Sequence, residues 1–286
     1  MDYNFRLIDV RTSGGVGWAT IDNPPINLMT ALLYRELAVL AEGFEADESV
    51  QVLVLQSANP EFFVAHFDVE EILRISTGGD ARRESGLNPF HLMCERYRSM
   101  PKVTICKLAG RVGGGGSELA ASCDMRFGVR GKTVVNQMEV PLGIIPGGTG
   151  TQRLPRLLGR SRALELVLGG DDLDASTAER WGYLNRAFRD VAELDAHVDR
   201  LAGRIAGFPA PAVTAAKEAI LGAEPDWHGG LVEEAYLFQR LLRTPEAAHA
   251  MRRFLEMGGQ TRDGELRVGQ LAGELSELDR GPGEPP

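Results

Sequence analysis

VTICKLAGRVGGGGSELAAS, residues 103–122, is the stretch around which the rest of the chain is organised. A β-branched, largely apolar segment, Val103 to Ala109, meets four consecutive glycines, Gly113 to Gly116, and a short Ala/Leu-rich helix is predicted from about Ser117. Glycines in such a turn admit positive φ and let a ligand approach the main chain. The helix start that follows offers unpaired N–H groups and the positive end of a dipole, a natural place for negative charge. On this reading Glu118 falls in the first helical turn, where the dipole favours a carboxylate whether or not it does chemistry.

Downstream lies a second glycine-rich segment, MEVPLGIIPGGTGTQRLPRLLG, residues 138–159. Glu139 opens it, 21 residues after Glu118. Two carboxylates in one site suit general acid–base work on water, because burial and like charge push their proton affinities apart. Spacing alone does not bring the pair together. Gly147 to Gly150 reads as a tight turn into a helix, with Thr149 or Thr151 as cap and Arg153 as a loop or interface anchor.

Outward from these segments the chain reads as an α/β core. Phe5 to Val10 and Val16 to Ile21 are predicted strands joined at Ser13-Gly14-Gly15. Thr30 caps a helix with Leu33, Leu37, Leu40, Ala41 and Phe44 at helical spacing, and Val50 to Gln56 is a buried strand. FFVAHFDVEEIL turns helical near Asp68; Ser76 to Pro89 is polar, Gly-rich and expected to be a mobile loop; a helix over Pro89 to Arg98 leads back to the glycines. Beyond them the pattern gives strands at Met125–Val129, Thr133–Asn136 and Leu184–Phe188, and helices at Arg160–Gly169 and Ala175–Trp181. The expected organisation is a core over 1–191, a helical region over 192–275 with its helices at 192–222 and 229–257, and a disordered tail over 276–286.

Composition narrows the classes. A net charge of −9 argues against nucleic acid or an anionic membrane as the main partner. Three scattered cysteines, Cys94, Cys106 and Cys123, form neither a disulfide framework nor a zinc pattern, and the five histidines show no metal spacing. No signal peptide and no membrane-length apolar run is evident, so a cytoplasmic location is expected. Gly131-Lys132-Thr133 fails as the end of a P-loop because Arg126 stands where its first glycine is required. Paired carboxylates would also serve a glycosidase, but aromatics at 7% provide no obvious sugar-stacking surface.

Taken together, the two segments resemble a known family. The pattern K-x-x-x-x-x-x-x-G-x-x-x-G-G-G-x-E-L-A, Lys102 to Ala120, is similar to a signature of the crotonase (enoyl-CoA hydratase/isomerase) superfamily. E-x-P-L-G-I-I-P-G-x-x-G-T-Q-R-L-P-R-L-L-G, Glu139 to Gly159, resembles the second. Asn23-Pro24-Pro25-Ile26-Asn27-Leu28-Met29 resembles the family's CoA-side N-terminal motif, and Phe63-Val64-Ala65-His66-Phe67-Asp68 its first oxyanion segment. The similarity runs over residues 5–258.

The resemblance implies a spiral of ββα turns with a helical C-terminal oligomerisation region, assembled as a homotrimer or homohexamer. It implies an acyl-CoA substrate, with coenzyme A as part of the thioester and no other cofactor or metal. Carried over by position, the N–H groups of Phe67 and Gly115 form an oxyanion hole, Glu118 and Glu139 are the two hydratase glutamates, and Asn27, Ala65, His66, Asp68 and Gly114 contact substrate or CoA. Keeping both glutamates implies hydration of a 2-enoyl-CoA to a 3-hydroxyacyl-CoA. Isomerisation, another enolate reaction such as decarboxylation or C–C cleavage, and a non-catalytic acyl-CoA-binding trimer are the alternatives. Two positions depart from the pattern: His66 stands where the family carries glycine, and Met138 where hydratases carry proline.

Overall fold

The computed structural model describes residues 4–224 and 226–278. The chain opens on an antiparallel hairpin, β1 (Ile8–Ser13) and β2 (Val16–Ile21). Helix α1 (Ala31–Ala46) follows, its first turn capped by the Thr30 hydroxyl, which accepts from the Leu33 N–H at 3.3 Å. The stripe Leu33, Leu37, Leu40, Ala41 and Phe44 is buried, as a period of 3.6 requires.

From there the chain winds in repeated turns. Each places one strand in a large sheet, the next in a small sheet, and closes with helix. The first comprises β3 (Val52–Ser57), β4 (Phe62–Val64), α2 (Val69–Leu73) and α3 (Pro89–Ser99). The second comprises β5 (Val103–Leu108), β6 (Arg111–Gly113) and α4 (Gly114–Ser122). The third comprises β7 (Met125–Val129), β8 (Val134–Asn136), α5 (Gly150–Leu158) and α6 (Arg160–Gly169). A last, reversed turn runs β9 (Leu173–Asp174), α7 (Ala175–Trp181), β10 (Arg186–Phe188). The large sheet has the order β1-β2-β3-β5-β7-β10 and is parallel from β2 onward; the small sheet is β4-β6-β8-β9, antiparallel only at its last pair. The four leading residues of β3, VLVL, are all buried, the mark of a parallel strand covered on both faces.

The glycines of the opening stretch let one turn sit on the previous one. A Cβ on Gly110 would lie 2.3 Å from the Glu61 carbonyl carbon, one on Gly113 2.5 Å from Ala65 O, and one on Gly116 2.5 Å from Val64 O. At a spacing of three they track the backbone of β4 and its flanks, where no side chain fits. Helix α4 therefore starts at Gly114, not near Ser117, and Glu118 lies in its second turn. The helix dipole in its first turn does not account for that carboxylate.

The C-terminal stretches are helical, and proline segments divide them further than the pattern predicts. The 192–222 stretch becomes α8 (Val191–Ala206) and α9 (Ala210–Leu221), parted at Pro209; the 229–257 stretch becomes α10 (His228–Leu242) and α11 (Pro245–Glu256). Two further helices, α12 (Arg262–Glu265) and α13 (Val268–Leu278), complete the described chain. Helix α13 takes in residues 276–278 of the segment expected to be disordered, and 279–286 lie outside the described residues. Leu194, Val198 and Ala202 of α8 pack on Val52, Val54 and Ile105 of the large sheet. Helices α11 and α13 form a second core with Met138, Leu142 and Ile144. All three cysteines are free and buried.

Candidate active site

Between this second core and the core built on Leu33, Leu37 and Phe44 of α1 lies a cavity of about 290 Å³. Its floor is the start of α4. Gly114 has φ +43, and a Cβ there would meet His66 Cβ at 2.9 Å and Glu139 Oε1 at 3.0 Å, so only glycine serves. Gly115 is beside it, and a Cβ there would lie 3.6 Å from the Phe67 nitrogen. The N–H of Gly115 belongs to the first turn of α4, which has no intrahelical acceptor. The peptide before Phe67 is fixed by its other end, because His66 O accepts from the Met29 N–H at 2.9 Å. Phe67 and Gly115 both line the cavity.

Two carboxylates face the same space. Glu118 Oε1 accepts from the Gly148 N–H at 2.8 Å and the Gly150 N–H at 2.7 Å. Glu139 is held on the opposite side. Turned so that its amide nitrogen faces the carboxylate, Gln137 donates to Glu139 at 2.9 Å and accepts from the Ser117 hydroxyl at 2.9 Å. A third buried glutamate, Glu234 of α10, stands behind the first. Its oxygens accept from the Thr149 N–H at 2.7 Å, the Thr151 N–H at 2.9 Å and the Thr151 hydroxyl. Four consecutive N–H groups, 148 to 151, are thus claimed alternately by Glu118 and Glu234. Thr149 pays for this with φ +110, a conformation rarely tolerated by a side chain. His91 Nε2, 3.0 Å from Glu234 Oε1 and 2.9 Å from Gly147 O, closes the cluster.

Burial raises the proton affinity of both cavity glutamates. Glu118 is pushed well above the usual carboxylate range, first by desolvation and then by the charges of Glu139 and Glu234. Glu139 is pushed up to about 7 by desolvation, against which a backbone N–H and His66 pull downward. Two such groups in one buried cavity can share a proton near neutrality, one as acid and one as base.

A family model for enoyl-CoA hydratase/isomerase matches residues 11–262. The chain belongs to the crotonase superfamily. A Rhizobium meliloti protein named "Probable enoyl-CoA hydratase" is 33% identical over 255 residues, covering 88% of this chain and 96% of its own length. A Bacillus subtilis protein of the same name is 30% identical over 240 residues, covering 83% and 91%. The solved structure of a "putative enoyl-CoA hydratase" from Streptomyces avermitilis superposes with a TM-score of 0.86 at 36% identity, over 96% of this chain and all of its own. The α/β spiral with its helical C-terminal region is thus the crotonase fold.

Of the residues singled out in the sequence, Glu118, Glu139, Phe67, Gly115 and His66 converge on this crotonase cavity, and Gly114 packs directly beneath it. Three do not line it. Asn27, at φ +51, has its amide nitrogen spent on Ser57 Oγ at 2.7 Å and Phe63 O at 2.9 Å. Its oxygen accepts from the Asn23 N–H at 2.7 Å, so its side chain braces the loop before α1. Ala65 packs with Ile26 and Phe62, away from the cavity. Asp68 caps α2 through the Glu70 N–H at 2.9 Å and accepts from Gln260 at 3.1 Å. Arg153 anchors the 147–151 turn through Thr149 Oγ1 at 3.0 Å and a contact to Glu95. Met138 forms part of the cavity lining beside Glu139.

Sequence reading missed Glu234, Glu265 and His91. A signal for Glu234 existed: with Leu231 and Leu242 it occupies the buried stripe of α10, where a glutamate is out of place unless partnered. Among the described residues no group of three or more His, Cys, Asp or Glu could hold a metal ion, and no helix is long and apolar enough to cross a membrane.

Proposed function

We propose that this crotonase-family enzyme adds water to a 2-enoyl-CoA to give the 3-hydroxyacyl-CoA. The observation that carries the reading is the convergence of Glu118 and Glu139, both buried, on one cavity whose floor presents Gly115 and Phe67. The thioester oxygen is received by the Phe67 and Gly115 N–H groups. Water sits between the glutamates, one of which takes its proton as the oxygen bonds to C3. The C2–C3 π pair moves toward the thioester, forming an enolate whose charge the two donors hold. The other glutamate delivers a proton to C2, and the enolate collapses to the product thioester. Glu139, on which the His66 ring acts, is the base and Glu118, which faces the charges of Glu139 and Glu234, the acid. Ile72, Leu142, Ile144 and Phe238 give the acyl end an apolar wall.

Loss of the conjugated-thioester absorbance across a panel of 2-enoyl-CoAs tests this directly. Wild type should consume at least one, and Glu139→Gln should lose roughly 10²- to 10⁴-fold in kcat, the usual size of a general-base contribution. With the base titrating at about 7, kcat/KM should fall as pH drops below neutrality. Wild type that binds CoA tightly yet leaves every 2-enoyl-CoA unchanged would overturn the reading.

A further inference from the structure

At the position where the resemblance leads one to expect glycine, the structure encloses an imidazole whose two nitrogens both face acceptors. His66 is 2% exposed; its Nδ1 lies 2.7 Å from Phe67 O and its Nε2 3.0 Å from Glu265 Oε1. A carbonyl and a carboxylate only accept, so both nitrogens donate and the ring is a cation in the cavity wall. Glu265 of α12 is itself fixed, accepting from the Gln260 N–H at 2.8 Å. Gln260, at φ +63, accepts from the Val69 N–H at 2.5 Å and donates to Asp68 at 3.1 Å. Residues 66–69 and 260–265 are thereby bolted together, and Phe67, whose carbonyl His66 grips, sits at the centre of the joint.

We propose that His66 is a positively charged positioning residue, clasped between the Phe67 carbonyl and Glu265, which fixes the Phe67 segment of the oxyanion hole and holds a cation beside Glu139. This rests on the roles proposed above for Phe67 and Glu139. The charged groups around it agree. His66 faces Glu265 from α12 and Glu139 from the segment after β8; Glu139 in turn feels Glu118 of α4 and Glu234 of α10, and Arg111 of β6 acts on Glu265. Burial disfavours the charged ring, but Glu265, the Phe67 carbonyl and Glu139 outweigh it and raise its affinity for the proton. Burial likewise disfavours the Glu265 carboxylate, yet His66 holds it below its usual range. Without the cation, the charged groups acting on Glu139 would be carboxylates alone.

The test combines ring-nitrogen NMR with pH–rate profiles on wild type, Glu265→Gln and His66→Gln, each first shown to be folded by thermal unfolding. In wild type the His66 ring should carry two protons at pH 7, where an ordinary histidine is mostly neutral. Glu265→Gln should leave it neutral at that pH. In both variants the acid limb of kcat/KM should move up by about one pH unit from about 7, an approximately fivefold loss at pH 7 that recovers at alkaline pH. A merely structural role would lower the whole profile without moving it, and that result overturns the proposal, as does a singly protonated ring in wild type at pH 7. The NMR arm needs no turnover. A doubly protonated ring in an enzyme that hydrates nothing would sink the proposed reaction and leave the clasp standing; a neutral ring in an active hydratase would do the reverse.

Discussion

The two glutamates of the cavity are supported in opposite ways. Glu118 rests on the neutral N–H groups of Gly148 and Gly150, and behind that turn stands Glu234 of α10. Glu139 neighbours the His66 ring, and behind it stands Glu265 of α12. Each spiral glutamate is therefore backed by a helix glutamate, through backbone dipoles in one case and through a cation in the other. The consequence is unequal proton affinity. Glu118, with Glu139 and Glu234 adding negative charge, is pushed far up; Glu139, with a cation at hand, is pushed up only to about 7. In the proposed hydration these two identical side chains serve as acid and base. The fold separates them by what the C-terminal helices place behind them.

Among changes to what stands behind the pair, removing the backing of Glu118 should have the largest effect. Glu234→Gln replaces one oxygen of a carboxylate that meets donors on both sides: Thr149 N–H and His91 on one, Thr151 N–H and its hydroxyl on the other. An amide has a single accepting oxygen, so a buried N–H loses its partner at a cost of about 1–3 kcal/mol. The same four-residue turn positions Glu118, so kcat should fall on the order of 10²-fold, with a lower Tm. Wild-type kcat in this variant would show that the turn holds Glu118 without its second glutamate.

The other side is sharpened by stability. The usual Glu value of 4.5 rises to about 7 at Glu139, so the folded state binds this proton more tightly than the unfolded chain. The sign follows: the contribution to stability is complete below about 4.5 and is lost as pH rises through about 7. A difference of 2.5 units (7 − 4.5) is worth roughly 3 kcal/mol as an upper figure. Between pH 5 and pH 8.5 wild type should therefore lose Tm, and Glu139→Gln, which never ionises, should lose less. Parallel Tm–pH curves would mean that His66 already offsets the burial of Glu139.

How much of this was legible depends on distance along the chain. The strands of the large sheet were readable because their information is local, as apolar runs mark β3, β5 and β7; the spiral itself was implied only by the resemblance, and the stacking role of Gly110, Gly113 and Gly116 emerges in three dimensions. The start of α4 was misplaced because glycines have poor helix propensity, and their close approach to β4, visible only in three dimensions, decides the matter. The partners of the site glutamates were not legible. His66 and Glu265 are 199 positions apart, and no periodicity links them. Glu233 and Glu234 are adjacent and chemically identical, yet one pairs with Arg83 at the surface while the other is buried behind the active-site turn. Only the stripe they fall on tells them apart.

The smallest effect is expected at that surface pair, and it tests whether the helix wall shapes the substrate as well as the proton. Residues 76–88 carry no helix or strand, but they are strapped to α10 and its C-cap. Arg83 makes two contacts to Glu233, at 2.7 and 3.1 Å, and lies 3.9 Å over the Tyr236 ring, while Arg243 donates to Gly79 O at 3.0 Å. Asn88 at the end of this segment and Ile75 just before it line the cavity. Arg83 and Glu233 are both exposed, so screening by water and salt leaves their pair little weight in folding, and Arg83→Ala should keep the wild-type Tm and kcat. What it should change is the spread of KM between short and long 2-enoyl-CoAs, by about threefold, because a loosened strap lets the Ile75–Asn88 wall yield to a longer chain. An equal KM shift for every chain length would place the strap outside the acyl wall, leaving α2, the 138–148 segment and Phe238 to set the length of the acyl group.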